Sequence, residues 1–349
     1  MKCHPENERI KRKYFRFLGD SEGRDEATID VVAKALARFE DYTNRKDFKS
    51  FHFEQAVAFK RRLADTRNAR SGEKLSKATQ HSTLRVLKEF FRWLSREPGY
   101  KAKIHYSDAN YFSLTRKDVA IADARRERGV ATLAQIEHVL SLMPVTSAIE
   151  RRNRALVAFA ALTGARASAL ASIRLGDVNT GEGHVYQDAR HVRTKFAKSF
   201  QTDFLPFSGL AMGIVRDWHG ELAADPLRGH DTPLFPATAL EIDPNGAFKP
   251  SGLKLTGWKS SSPVREIFKM AFAMAKLPYF APHSFRNTLT RHAMTLDLPP
   301  EAFKAVSQAL GHNDVMTTFM SYGQVPAHRQ SELIRRLPEW RAQREKSGW

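Results

Sequence analysis

Residues 282–323 read PHSFRNTLTRHAMTLDLPPEAFKAVSQALGHNDVMTTFMSYG, and His283, Arg286, His312 and Tyr322 all lie within them. A guanidinium stays charged at any relevant pH and grips anionic oxygens two at a time. An imidazole trades protons near neutrality. A phenol, with a pKa near ~10, must lose its proton to become a nucleophile. Taken one at a time these residues decide nothing. His-x-x-Arg merely puts two side chains on one helical face, and a tyrosine near a C-terminus is more often packing than chemistry. An arginine directly after Thr-Gly-Ala, as Arg166 is, is by itself a structural or surface charge.

The elements that must position these residues are mostly helical. Ile29, Val32, Leu36 and Phe39 recur at helical spacing, as do Leu84, Leu87, Phe91 and Leu94. The second set predicts a helix begun by Ser76 or Thr79 and broken at Pro98-Gly99, with Arg85, Lys88 and Arg92 on its other face. Residues 1–105 therefore read as a helical domain with a basic face. Residues 106–130 are charged and weakly periodic and read as a linker. From residue 131 to 349 a second domain follows. In it RNRALVAFAALTGAR is a buried helix stopped at Gly164, with Arg166 opening the next helix. Residues 183–207, rich in β-branched and aromatic side chains, predict a two- or three-stranded sheet. SSPVREIFKMAFAMAKL predicts a helix capped by Ser262 with Pro263 in its first position, and RQSELIRRLPEW a short final helix.

The chain has 349 residues and a formal charge of +18. Residues 51–100 carry 11 bases against 5 acids, 151–200 carry 9 against 3, and 251–300 carry 7 against 2, whereas 201–250 carry 3 against 7. Positive charge gathered in separate segments points to a polyanionic partner. Arg151, Arg152 and Arg154 read equally well as phosphate contacts or as a solvated helix start. Cys3 is the only cysteine, which excludes an internal disulfide and cysteine-based zinc sites. No apolar run approaches the ~20 residues of a membrane span, and the N-terminus does not read as a secretory signal. No acidic cluster for two-metal catalysis is evident.

The order of the motifs is more telling than any one of them. ALTGARASALASIRLGDV, a basic sheet segment ending FLPF, HSFRNTLTRH and LGHNDVMTTFMSYG together resemble the tyrosine recombinases, the family of bacteriophage and mobile-element integrases. The resemblance covers about residues 130–325. It implies a mainly α fold with a small antiparallel β-sheet (α+β), a helical core-binding domain and a catalytic domain. It implies that Arg166, His283, Arg286 and His312 act on the scissile phosphate and that Tyr322 is the nucleophile. The family also has a hairpin lysine, which counting back from Pro206 places at Lys198, with Lys195 second. The implied reaction is a transesterification. Arginines stabilise the phosphorane, a lysine protonates the departing 5′ oxygen, and a 3′-phosphotyrosyl bond keeps the energy for rejoining without ATP, metal or other cofactor. Implied partners are double-stranded DNA and, on synapsed sites, a homotetramer that exchanges strands through a Holliday junction. The segment after Tyr322 is then the contact to a neighbouring protomer. Accessory DNA-bending or directionality proteins are compatible with this, and a cytoplasmic, nucleoid-associated place in a bacterium is expected. Two departures stand out: Ala169 occupies a position that is often acidic, and Tyr322 follows His312 by one residue more than is commonest. A type IB topoisomerase-like enzyme and a non-catalytic DNA-binding relative are the alternatives.

Overall fold

The computed structural model describes residues 3–69, 71–124, 129–296, 298–311, 327–336 and 338–339. The chain forms two compact units, residues 1–126 and 127–349.

In the first unit α1 (Pro5–Arg16), α2 (Glu26–Tyr42), α3 (Phe53–Asp65) and α4 (Lys77–Leu94) each bury one apolar stripe. Ser76 caps α4, its Oγ accepting from Thr79 N at 3.2 Å. The stripes meet in an aromatic core of Phe39, Phe48, Phe51, Phe59, Phe90, Phe91 and Phe112. Phe51 stacks on Phe91 with ring centroids 3.9 Å apart, and Phe39 meets Phe91 edge-on at 5.2 Å. A buried polar knot tethers the helices. Asn7 Nδ2 donates to Lys46 O at 2.9 Å, its Oδ1 accepts from Phe48 N at 3.0 Å, and buried Glu40 accepts from Lys11 at 2.7 Å.

The segment expected to be a linker is partly folded. Tyr106–Phe112 forms a 3₁₀ turn and α5 spans Arg116–Asp123. Ala109 and Phe112 enter the aromatic core, and Lys77 pairs with Asp118 at 2.8 Å. The folded region therefore extends past residue 105. Its periodicity is weak because α5 buries no residue and the 3₁₀ turn buries only two.

The second unit is built on α7 (Ala148–Thr163), which is buried on all sides from Ala155 to Thr163. It begins with a reciprocal Ser147–Glu150 capping box. Packed around it are α6 (Leu133–Leu142), α9 (Gly209–Ala223), α10 (Ser262–Met274) and α11 (Pro282–Ala293). The α10 cap is Ser261 rather than Ser262, so Pro263 occupies the second helical position. Three antiparallel strands, β1 (Val178–Asn179), β2 (His184–Gln187) and β3 (Phe200–Asp203), form the expected sheet in the order β1-β2-β3. Val185 pairs with both Val178 and Thr202. Past β3, Leu205 N donates to Leu162 O at 2.9 Å, which satisfies a carbonyl in the last turn of α7 and docks the sheet there. A second hairpin, β4 (Thr238–Ile242) with β5 (Phe248–Leu253), was not anticipated. The helices α12 (Pro300–Ala309) and α13 (Ala327–Arg335) complete the described residues.

Candidate active site

α7 ends where its chain turns left-handed at Gly164, φ 58° and ψ 23°. A Cβ there would sit 2.8 Å from Leu310 Cδ2, 3.3 Å from Leu289 Cδ1 and 3.4 Å from Arg286 Cα. Gly164 thus permits both the turn and the close approach of α11 and the end of α12. Two residues on, Arg166 caps the short helix α8 (Ala167–Leu170). The position that is often acidic in relatives, Ala169, is 1% exposed inside the apolar core. It offers Arg166 no carboxylate.

α11 starts at Pro282, and its first turns carry His283 and Arg286. Arg286 is 3% exposed. Its Nε donates to Gly164 O at 3.2 Å, while its buried Nη1 has no hydrogen-bond partner among the described residues. Burial, with the charge of Arg166 added, pulls its pKa down to about 9. Burial also lowers the pKa of Arg166. His283 is lowered as well, first by desolvation and then by the charges of Arg286, Arg166 and Lys195. Among the described residues, the charges that shift His283 are all positive. A site that gathers cations around an unfilled buried donor is made for an anion.

The lysine turn lies between β2 and β3. Phe196 and Ala197 both have positive φ, 62° and 47°, so Lys195 and Lys198 flank a tight reversal rather than lying along one regular strand. Lys195 stands 4.5 Å from the Phe196 ring centroid, and its charge reaches His283. Lys198 borders an open cavity of about 560 Å³ between β3 and α12, with Phe200, Asp203, Gln308 and Gly311 among its walls. Gly311, φ 68°, closes α12; a Cβ there would lie 2.7 Å from the Phe200 ring. The expected LGH helix end is therefore present up to Gly311. His312 and Tyr322 lie outside the described residues.

The family model for the phage integrase family matches residues 131–329, more than half of the chain. The chain belongs to the phage integrase family. As a member it is a site-specific recombinase of the tyrosine class. No curated protein matches it by sequence. Among solved structures, the Tn1549 transposon integrase in complex with transposon right end DNA is 17% identical, aligned over 95% of this chain and 98% of that one, with a TM-score of 0.59. A lambda integrase dimer bound to a COC′ core site is 15% identical over 90% and 95%, with a TM-score of 0.58. A lambda integrase tetramer bound to a Holliday junction is 14% identical over 94% and 84%, with a TM-score of 0.54. At these identities the likeness is one of fold. No described helix is long and apolar enough to cross a membrane.

The phage integrase fold also assigns work to residues that the sequence left ambiguous. Arg152 is a buried structural cation: it donates to Pro236 O and to Thr238 Oγ1 (3.0 Å), and lies 4.7 Å from the Trp258 ring centroid. Burial pulls its pKa down to about 10. Arg151 forks onto Glu221 with two 2.8 Å bonds, and Arg154 donates to Leu140 O at 2.8 Å. All three are engaged by protein partners, Arg151 at the surface and Arg152 in the interior, which a run of arginines at a helix start does not reveal.

His283 is expected to titrate below 6.5 in the free protein. It is then neutral at pH 7, and native stability falls as pH drops through 6.5, where the unfolded chain takes the proton first. An anion between the arginines should move the midpoint upward. Imidazole ¹⁵N NMR with and without inorganic phosphate measures this, and a midpoint at or above 6.5 without anion contradicts it.

Proposed function

We propose that Tyr322 attacks a phosphodiester of double-stranded DNA in a site formed by Arg166, Arg286, His283, His312 and a lysine of the 195–198 turn. The observation that carries this reading is that the charges of Arg166, Arg286 and Lys195 all act on His283, while Arg286 Nη1 is buried with no partner among the described residues. The negative charge of a phosphorane would relieve the repulsion among these cations and satisfy that donor, so the site binds the transition state better than it tolerates being empty. Arg166 and Arg286 hold the non-bridging oxygens. Neutral His283, together with His312, exchanges protons with Tyr322 and the phosphate oxygens. The phenolate oxygen forms a bond to phosphorus as the bond to the 5′ oxygen breaks. The turn lysine gives that oxygen its proton. Rejoining runs the same steps backwards.

Spacing to Pro206 selects Lys198 for this last role, but the charge felt by His283 is that of Lys195, and we assign the proton to Lys195. The lambda integrase structures named above are a dimer on a core site and a tetramer on a Holliday junction. We extend that arrangement to four protomers of this chain, with the segment after Tyr322 reaching a neighbour and accessory proteins setting direction.

The test is covalent trapping on nicked duplexes carrying candidate sites, with chelator in excess and no nucleotide. The expected product is a denaturant-resistant adduct whose linked peptide contains Tyr322. Linkage through another residue, or a strict need for magnesium in cleavage, overturns the proposal. Relaxation of supercoils by a monomer without exchange would instead favour the topoisomerase-like reading.

A further inference from the structure

The lysine turn has little strand pairing to hold it. β2 ends at Gln187 and β3 begins at Phe200, so the segment between them lies outside the ladder whose last pair is Gln187 with Phe200. Something else must hold Lys195 where its charge acts on His283. One side chain in that segment, Arg193, two residues before Lys195, reaches three residues outside it. Its Nη1 donates to Lys259 O at 2.6 Å, and its Nη2 donates to Trp258 O at 2.9 Å and Ala171 O at 3.1 Å. Its backbone N donates to Ser172 Oγ at 2.9 Å. Arg193 has no ion-pair partner among the described residues, and its Nε is buried without one.

Two of these acceptors are telling. Ala171 is the C-cap of α8, the helix that Arg166 opens, and Ser172 follows it. A guanidinium at a helix C-terminus satisfies carbonyls that the helix leaves open and suits the negative end of its dipole. The bonds of Arg193 therefore join the lysine turn to the helix bearing the first arginine. In a chain of charge +18 an arginine beside the site would be taken for a phosphate contact. Here its terminal nitrogens are committed to three carbonyls.

We propose that Arg193 is a positioning residue for Lys195, fixing the proton donor relative to Arg166 and His283 without touching DNA. This rests on the reading that a turn lysine protonates the 5′ leaving oxygen. A misplacement of about 1 Å can cost 10²-fold in rate, and the loss should fall on the protonation step alone.

That selectivity supplies the experiment. The full chain, as Arg193→Ala, Arg193→Lys, Ser172→Ala, Lys195→Ala and Lys198→Ala, is assayed for cleavage of matched duplexes with a 5′-bridging oxygen or a 5′-bridging sulfur at the scissile phosphate. A thiolate leaves without a proton. Lys195→Ala should be slow on oxygen and restored on sulfur. Arg193→Ala should be about 10²-fold slow on oxygen and return to within a few-fold of the parent on sulfur. Arg193→Lys should match it, because an ammonium cannot reach three diverging carbonyls. Ser172→Ala, which removes one anchor without removing a partly buried charge, should show the same pattern more mildly, and it carries the test if the Arg193 variants fail to fold. If Lys195→Ala is restored by sulfur but the Arg193 and Ser172 variants are equally slow on both duplexes, or unaffected on oxygen, the positioning role is wrong. If Lys195→Ala is not restored, the underlying reading has failed instead, and restoration of Lys198→Ala would name that residue as the acid.

Discussion

Replacing Arg286 with methionine should slow strand cleavage by about 10²–10³ and, at the same time, raise the melting temperature of the protein. The first effect is what removing one preorganised donor to a developing oxyanion costs. The second follows from where the guanidinium sits. It is 3% exposed, it lies close enough to Arg166 to feel its charge, and Nη1 has no partner among the described residues. Exchanging a buried, poorly compensated charge for an apolar side chain of similar volume is often neutral or stabilising by about 1–4 kcal/mol. The lost bond from Nε to Gly164 O returns about 1 kcal/mol of that. Each net kcal/mol moves the melting point of a unit of this size by roughly 2–4 °C. The pH dependence has a definite sign. Burial and the charge of Arg166 pull the native guanidinium's pKa down to about 9, well below that of the unfolded chain. The native state is thus penalised in full at neutral pH, and the penalty fades above 9 as the unfolded chain holds the extra proton. The stability gap between variant and parent should narrow over that range. Calorimetry alongside a suicide-substrate assay measures both effects; a melting point that falls with the activity would mean that Arg286 is a structural cation like Arg152.

Affinity for non-cognate duplex should drop by roughly 10³–10⁵ between 50 and 200 mM salt, the range for neutralising about 6–10 phosphates. Total charge is a poor guide here, because many bases are already engaged: Lys13 pairs with Glu97, Arg45 with Asp41, Lys74 with Asp65 and Arg151 with Glu221. The basic face of α4 is different. Arg85, Lys88 and Arg92 have no ion pair among the described residues. Lys88 Nζ reaches Ser113 Oγ at 2.8 Å, and Lys60 Nζ reaches Ser113 O at 3.0 Å, so two ammonium groups meet at one exposed serine. Burial lowers the pKa of Lys60. Lys88→Gln should weaken binding evenly across sequences and reduce the salt slope by about one, since one phosphate contact is lost. Fluorescence anisotropy titrations at several salt concentrations give the slope. A flat plot for the parent, or an unchanged slope for Lys88→Gln, would mean that the α4 face does not meet the backbone of DNA.

Elements with a strong apolar pattern were readable from the sequence: α2, α4 and the buried second half of α7 follow directly from their leucines, phenylalanines and alanines. Gly164 and Arg166 were also readable, because a left-handed helix stop has few residue choices. The β4–β5 hairpin was not. Its strands leave Leu240, Ile242 and Phe248 at 55%, 66% and 72% exposure, so no inward-facing alternation marks them. The shape of the lysine turn was not readable either. Counting from Pro206 assumes strands of ordinary length, whereas here the reversal falls at Phe196-Ala197, two non-glycine residues in a conformation that glycine or asparagine normally signals. The lattice of carbonyls around Arg193 was invisible because Ala171, Trp258 and Lys259 contribute only backbone to it, and backbone acceptors leave no trace in residue type.

The cluster of like charges around His283 also bears on how long a molecule survives. Any bound polyanion that meets Arg166 and Arg286 adds to native stability by mass action, about 2.7 kcal/mol at one hundred times its dissociation constant. The empty protein is the one that opens more often, and opened chains are those that proteases and chaperones remove. Turnover should then follow occupancy: copies holding a polyanion would be sheltered, and empty copies would be cleared first.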